Sequence, residues 1–133
     1  MHIDHIGIAV NDLAVSVKKY ESLLGVKAVF EKMHGMEVAI LKTDGGKFEL
    51  LADDNPNSPI GKFLIKNGEG LHHVAVDVDD VAAYLKRATD LNIRLIDKEM
   101  RPGVENKMIA FLHPSDLHGV LLEFCMDKLP FGE

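Results

Sequence analysis

The sequence GLHHVAVDVDD at residues 70–80 restates the pattern of DHIGIAVNDL at residues 4–13. Each stretch has a histidine near the head of an apolar, β-branched run and ends on residues that commonly cap a helix. Aligning the VND of the first stretch with the VDD of the second sets His5 over His73. A repeat of this length is too long for a solenoid unit and indicates a duplicated small module.

The composition fits a single domain that spans residues 1–133. The chain has 133 residues, of which 47% are hydrophobic, so it can bury a core without disulfides. Its net charge of -6 argues against nucleic-acid binding, which needs a basic face, and its single cysteine cannot form an internal disulfide. No run approaches the roughly 20 apolar residues that a bilayer requires. We therefore expect a cytoplasmic protein that does not bind membranes.

Hydrophobic periodicity predicts the same order, βαβββ, in both halves of the chain. The halves are module 1 at about 1–52 and module 2 at about 71–126, joined by a connector at 53–70 that contains a short helix from Pro59 to Gly68. The predicted strands of module 1 are 2–10, 26–30, 36–42 and 47–52, with a helix from 13 to 24. Those of module 2 are 71–78, 93–97, 107–112 and 119–124, with a helix from 81 to 91, a loop at 100–106 and a turn at 113–118.

Four side chains recur at matching places in the two modules. Because side chains alternate along a strand, His5 lies opposite the large apolar residues that must face the helix, and His73 does the same in module 2. The last strands read FELL and LLEF, so that Glu49 falls over Glu123. Carboxylates among apolar strand residues are costly to bury unless they are paired or bind a metal.

Two imidazoles and two carboxylates form a ligand set for a divalent ion of intermediate softness. Co²⁺, Mn²⁺, Ni²⁺ and Zn²⁺ all suit these donors. The predicted ligands are His5, Glu49, His73 and Glu123. In an octahedral arrangement they would leave two positions for water or a chelating substrate, as catalysis requires. A single histidine on a strand is often an ordinary strand residue. The metal site is favoured because the histidine and the glutamate recur at matching places in both modules.

At this point the chain resembles the methylmalonyl-CoA epimerases of the vicinal oxygen chelate, or glyoxalase-like, superfamily. The resemblance extends from Met1 to about Met126. It is carried by DHIGIAV, by SPIGKFLIKNGEGLHHVAVDVDD and by IAFLHPSDLHGVLLEF. The second of these motifs is the most specific, because the histidine and glutamate positions are shared with glyoxalase I.

The resemblance implies an α+β fold in which two tandem βαβββ modules form a cupped mixed sheet with the helices outside. It also implies a homodimer, an acyl-CoA substrate and the same four ligand positions. Proton abstraction between the two carbonyls of the substrate would give an enolate, and Glu123 is the expected catalytic base. Some members have glutamine where Glu49 stands here.

The second base is not identified by the sequence. Some epimerases place a catalytic glutamate at the position of Val38, and the nearby acid Glu37 is one residue away and expected on the wrong face. The loop at 103–107, often glycine-rich in the family, reads GVENK. Glu49, Glu105 and a water on the ion remain candidates for the second base.

Three functions are open at this stage. The first is epimerisation of methylmalonyl-CoA, and the second is the glyoxalase I isomerisation of a hemithioacetal, which uses the same ligand set. The third is a small-molecule binding protein of the same fold. The connector favours the first over the second by resemblance, and the four intact ligand positions argue against a metal-free binder.

Overall fold

The computed structural model describes residues 1–128, and these form two compact units. The first unit is residues 5–72, and the second consists of residues 1–4 together with the chain from His73 onward. The second unit thus combines the first four residues with the chain that follows residue 72. Among residues 1–128, no α-helix has the length and apolar composition that a membrane-spanning segment requires.

The first unit contains a four-stranded sheet in the order β2-β3-β4-β1. Strand β1 is parallel to β4, and the pairs β2-β3 and β3-β4 are antiparallel. A second helix, α2, follows the last strand of the sheet. The elements are β1 His2–Ala9, α1 Leu13–Leu24, β2 Val29–Met33, β3 Met36–Thr43, β4 Gly46–Ala52 and α2 Pro59–Asn67.

Helix α1 is defined at both ends by the residues that the sequence indicated. The Asp12 carboxylate accepts a hydrogen bond from Val15 N, and Gly25 takes the left-handed conformation that ends the helix. Val17 on this helix packs with Val10 and the sheet residues Leu41 and Leu50. The helix therefore covers one face of the sheet, and the other face is left for His5 and Glu49.

The second unit repeats this arrangement with the strand order β5-β8-β7-β6. Strand β5 is parallel to β8, and the other two pairs are antiparallel. Helix α3 begins after Asp80, whose carboxylate accepts from Ala83 N, and its residues Val81, Leu85 and Ala88 pack against Phe124 in the core. The elements are β5 Gly70–Asp77, α3 Val81–Asp90, β6 Arg101–Pro102, β7 Lys107–Leu112 and β8 Leu122–Asp127.

The prediction of a strand at 93–97 is wrong. Leu95 makes only an isolated bridge to Leu112. The backbone of this segment does bond to the end of β7, but Ile96 N and Asp97 N both donate to the same carbonyl, Phe111 O. Side chains replace further ladder bonds, since Asp116 accepts from Arg94 N and Asp97 accepts from Phe111 N. The second strand of this unit is instead β6, Arg101–Pro102, inside the segment that we expected to be a loop.

The start of the second strand also differs from the sequence-based expectation. Strand β2 begins at Val29 rather than Val26 because the Glu21 carboxylate binds Ala28 N, which draws the preceding segment towards α1. Short 3-10 turns occupy Val104–Asn106 and Pro114–Asp116. Each unit nevertheless has the order βαβββ, so the predicted fold class is confirmed.

Candidate functional site

A histidine and a glutamate stand side by side in the interior of the first unit. The parallel pairing of β1 with β4 sets Glu49 beside Gly7, two residues beyond His5. His5 Nδ1 lies 3.2 Å from Glu49 Oε2. The two residues are only 4% and 3% exposed. The two ligands predicted in module 1 are therefore in contact and shielded from solvent.

The second unit contains the same pair in the same register. Strand β5 is parallel to β8, and Glu123 lies beside Ala75, again two residues beyond the histidine. His73 Nε2 is 3.4 Å from Glu123 Oε1, and both residues are buried. The edge of the His73 ring also packs on Phe111, with ring centroids 5.5 Å apart. Each unit thus supplies one buried imidazole and one buried carboxylate from its two parallel strands.

The carboxyl group of Glu123 has a strongly perturbed acidity. Burial, reinforced by the negative charge of Asp4, raises its pKa to about 8, although the positive charges of Arg101 and Lys107 act in the opposite direction. A carboxyl that titrates near neutral pH can both accept and return a proton. This property fits the role of base predicted for Glu123.

Beside Glu123, the second unit holds a cluster of charges around Lys107. Its ammonium nitrogen is 3.0 Å from Asp127 Oδ1, 3.8 Å from Asp4 Oδ1 and 3.9 Å from Asp77 Oδ1. Burial lowers the pKa of Lys107, but the hydrogen bond with Asp127 and the charge of Asp4 outweigh it, so the net change is upward. Burial also raises the pKa of the Cys125 thiol well above its usual range.

Asp4 is a part of this cluster that sequence reasoning missed. It is only 5% exposed although it is an aspartate. The only signal in the sequence was a carboxylate directly before His5 in an otherwise apolar strand. Its importance follows from its position in the second unit, where its charge acts on Glu123, Lys107 and Cys125.

The other candidates fall outside the two pairs. His72 packs edge-on against Phe63, with ring centroids 4.9 Å apart, and burial lowers its pKa. Glu37 is exposed while its neighbour Val38 is fully buried, so the expectation that Glu37 faces away from the pair is in line with the structure. Glu105 lies in the 3-10 turn before β7, in a left-handed conformation with φ of 61°.

The donor atoms of both pairs fit a divalent cation. Each pair presents an imidazole nitrogen beside a carboxylate oxygen, a combination that suits ions such as Co²⁺, Mn²⁺, Ni²⁺ and Zn²⁺. Burial makes the ionised form of Glu123 unfavourable, and a cation bound to it would favour that form. The residues present are thus chemically suited to a metal.

Comparisons with known proteins agree with the fold. Residues 4–111 match the Glyoxalase/Bleomycin resistance protein/Dioxygenase superfamily. The chain is 35% identical over 129 residues to the uncharacterized protein YqjC of Bacillus subtilis, with 95% of this chain and 92% of that protein covered. It is 36% identical over 125 residues to human mitochondrial methylmalonyl-CoA epimerase, with 91% of this chain and 71% of the human protein covered.

A solved structure shows the same likeness over almost the whole chain. It is a variant of the methylmalonyl-CoA epimerase of Streptomyces coelicolor in complex with 2-nitronate-propionyl-CoA. The TM-score is 0.88 at 38% identity, with 96% of this chain and 94% of that chain covered. With the repeated βαβββ order and the two His–Glu pairs, these matches show that the chain belongs to the Glyoxalase/Bleomycin resistance protein/Dioxygenase superfamily and is a homologue of its methylmalonyl-CoA epimerases.

Proposed function

We propose that this protein is a metal-dependent epimerase that interconverts (2R)- and (2S)-methylmalonyl-CoA. The observation that carries the proposal is the recurrence of a buried His–Glu pair at the same register in both units. The relatives support the substrate class, since they include named methylmalonyl-CoA epimerases and one that was solved with an acyl-CoA.

In this proposal His5, Glu49, His73 and Glu123 are the ligands of one divalent ion, with Co²⁺ as the favoured metal. When bound, the ion would act as a Lewis acid that stabilises the negative charge developing on the substrate during proton removal. Glu123 is the group that takes the α-proton on one face of the substrate. Burial raises the pKa of this carboxyl in the metal-free protein, and a bound cation would favour the ionised form that accepts the proton.

The proposal also includes the domain organisation, the oligomeric state, the location and the partner of the protein. The two units form a single domain, the protein acts as a homodimer in the cytoplasm, and its partner is a small acyl-CoA rather than a nucleic acid or a membrane. Gel filtration with light scattering tests the dimer, and a mass of one chain, 14.7 kDa, would contradict it.

The activity is tested by deuterium exchange. Protein loaded with Co²⁺ is incubated with (2S)-methylmalonyl-CoA in D₂O, and α-deuteration and epimer composition are followed by NMR. We expect deuterium at the α-carbon together with formation of the (2R) epimer. Absence of exchange with turnover of a methylglyoxal hemithioacetal would instead indicate a glyoxalase I, and absence of both reactions would indicate a binding protein.

The ligand set is tested separately by metal analysis. We expect one ion per chain after reconstitution, and a large loss of affinity in His5→Ala and in His73→Ala. The exposed His34 provides the matched control, because His34→Ala removes an imidazole in a turn between β2 and β3. Full occupancy in both ligand variants would contradict the proposed site.

A further inference from the structure

Epimerisation needs a proton donor or acceptor on each face of the α-carbon. A single fixed carboxylate returns the proton to the face from which it came, and this regenerates the starting epimer. The proposed function, on which this inference rests, gives Glu123 one face. A second group must act on the other face, and the strand register of the first unit indicates which one.

The face of the first sheet that carries Glu49 can be read from its ladders. Residues directly opposite each other in neighbouring strands point to the same side of a sheet. Glu49 pairs with Ile40 and Gly7, and the next row on the same face consists of Glu31, Val38, Leu51 and Ala9. Among the strand residues of this unit, Glu31 and Glu49 are the two carboxylates on that face.

Glu31 lies on the edge strand, at the end of a row of buried apolar residues. The other three residues of its row are buried, with Val38 and Ala9 at 0% exposure and Leu51 at 3%, whereas Glu31 is half-buried. Two strand spacings of about 4.8 Å and two residues of about 3.4 Å place its Cα roughly 12 Å from that of Glu49. The two residues are therefore close enough on one face for a small molecule to contact both.

The second unit shows that a long side chain at this place extends as far as the neighbour of the glutamate. In that unit Ile109 is the counterpart of Val38, and the residue opposite Ile109 on the edge strand is Arg101. The Arg101 guanidinium lies 5.6 Å from the centre of the Phe111 ring, and Phe111 is the direct neighbour of Glu123. Its positive charge lowers the pKa of Glu123. The equivalent position in the first unit is occupied by Glu31.

Two other acids are less suitable for this role. Glu37 is exposed and pairs with Lys32 and Ala52, so it lies on the opposite face from Glu49. Glu105 belongs to the second unit, where a carboxylate oxygen of Asp4 lies within 4.8 Å of one of its own. Glu105 also lies in the 3-10 turn before β7 rather than in a row of strand residues next to the glutamate of either pair.

We propose that Glu31 is the second catalytic acid–base of the reaction. In one direction the Glu31 carboxylate takes the α-proton, and the electron pair of the broken C–H bond moves into the enolate. The carboxylic acid of Glu123 then gives its proton to the opposite face, which forms the new C–H bond. The reverse direction exchanges the two roles, and proton exchange with water restores both groups after each turnover.

The experiment compares Glu31→Gln with the wild type and with two control variants, all loaded with Co²⁺. Glu37→Gln removes a carboxylate from the other face of the same sheet, and Glu105→Gln tests the alternative acid. Each protein is given each epimer of methylmalonyl-CoA in D₂O, and exchange and epimerisation are measured separately. Co²⁺ affinity and stoichiometry are measured by calorimetry, and the unfolding midpoint by circular dichroism.

We expect Glu31→Gln to epimerise at least about 100-fold more slowly, the usual range for loss of a general base. The same variant should still exchange the α-proton of the one epimer that Glu123 serves, and its Co²⁺ affinity and unfolding midpoint should stay at the wild-type values. Glu37→Gln and Glu105→Gln should retain epimerisation. A residue with a merely structural role would not separate exchange from epimerisation in this way.

Three results would overturn the assignment of Glu31. They are epimerisation by Glu31→Gln at the wild-type rate, equal loss of exchange for both epimers, and a large loss in Glu105→Gln with none in Glu31→Gln. Failure of the proposed function can be distinguished from failure of the Glu31 assignment, because in the former case the wild-type protein would exchange the α-proton of neither epimer.

Discussion

Replacing Glu123 with glutamine should stabilise the metal-free protein at and above neutral pH. The carboxyl has an ordinary pKa of 4.5 in the unfolded chain and a pKa of about 8 in the fold, where burial is the main cause of the rise. As the pH increases, the unfolded chain loses this proton first, so ionisation favours the unfolded state. The glutamine variant has no proton to lose at this position.

The size of the effect follows from the two pKa values. They differ by roughly 3.5, and each step of one in pKa corresponds to about 1.4 kcal/mol. The stability cost is therefore absent below about pH 4.5, reaches roughly 3 kcal/mol at pH 7 and is complete, at about 5 kcal/mol, above pH 8. A metal ion whose free concentration is 1,000 times its dissociation constant adds about 4 kcal/mol to the free energy of unfolding, so metal binding nearly offsets this cost.

The assay is urea unfolding of both proteins in the presence of a chelator, at several values between pH 4.5 and pH 8.5. We expect the two free energies of unfolding to agree at the acidic end and to diverge in favour of Glu123→Gln as the pH rises. Saturating Co²⁺ should recover the stability of the wild type. Glu37→Gln is the control, since this exposed residue should leave the pH profile unchanged. Profiles of Glu123→Gln and the wild type that stay parallel across the range would refute the reasoning.

Three further predictions concern the fold. Asp12→Ala should lower the free energy of unfolding by about 1 kcal/mol in urea titrations, because it removes the acceptor for Val15 N, whereas Asp12→Asn should keep most of it; equal losses would contradict the capping role. Leu85→Ala should cost 2–5 kcal/mol by leaving a cavity in the core of the second unit, and a loss below about 1 kcal/mol would show that the site collapses without strain. The Cys125 thiol, which is 0% exposed and has a raised pKa, should react with a thiol reagent only as fast as the protein unfolds, and prompt labelling of the native protein would contradict its burial.

The sequence predicted the two His–Glu pairs because strand periodicity and the repeat give independent information. Alternation placed His5 and His73 away from the helices, and the alignment of the modules made Glu49 and Glu123 equivalent positions. Both pairs are indeed in contact within their units. The helix caps at Asp12 and Asp80 were predictable for a similar reason, since a cap depends on residues that are close in the sequence.

The error at 93–97 has a different origin. The segment IRLID is rich in β-branched and large apolar residues, and Ile93 and Leu95 do pack against the core of the second unit. Its backbone, however, does not form a regular ladder with β7: Ile96 N and Asp97 N share the Phe111 carbonyl, and the Asp116 and Asp97 side chains accept from Arg94 N and Phe111 N. Strand propensity reports the fit of a side chain to a packed surface and does not determine the partner of the backbone.

The position of Glu31 was hidden for a further reason. Strand β2 had to be placed within one residue before its side chains could be assigned to a face, and the predicted strand at 26–30 ended before Glu31. With the observed register, the two modules match at their ligand residues and differ in the next row, where Glu31 corresponds to Arg101. The two modules thus keep the same His–Glu pair but carry opposite charges at the position in the next row. Arg101 lowers the pKa of Glu123, and in the proposed reaction Glu31, from the matching place, is the second proton acceptor.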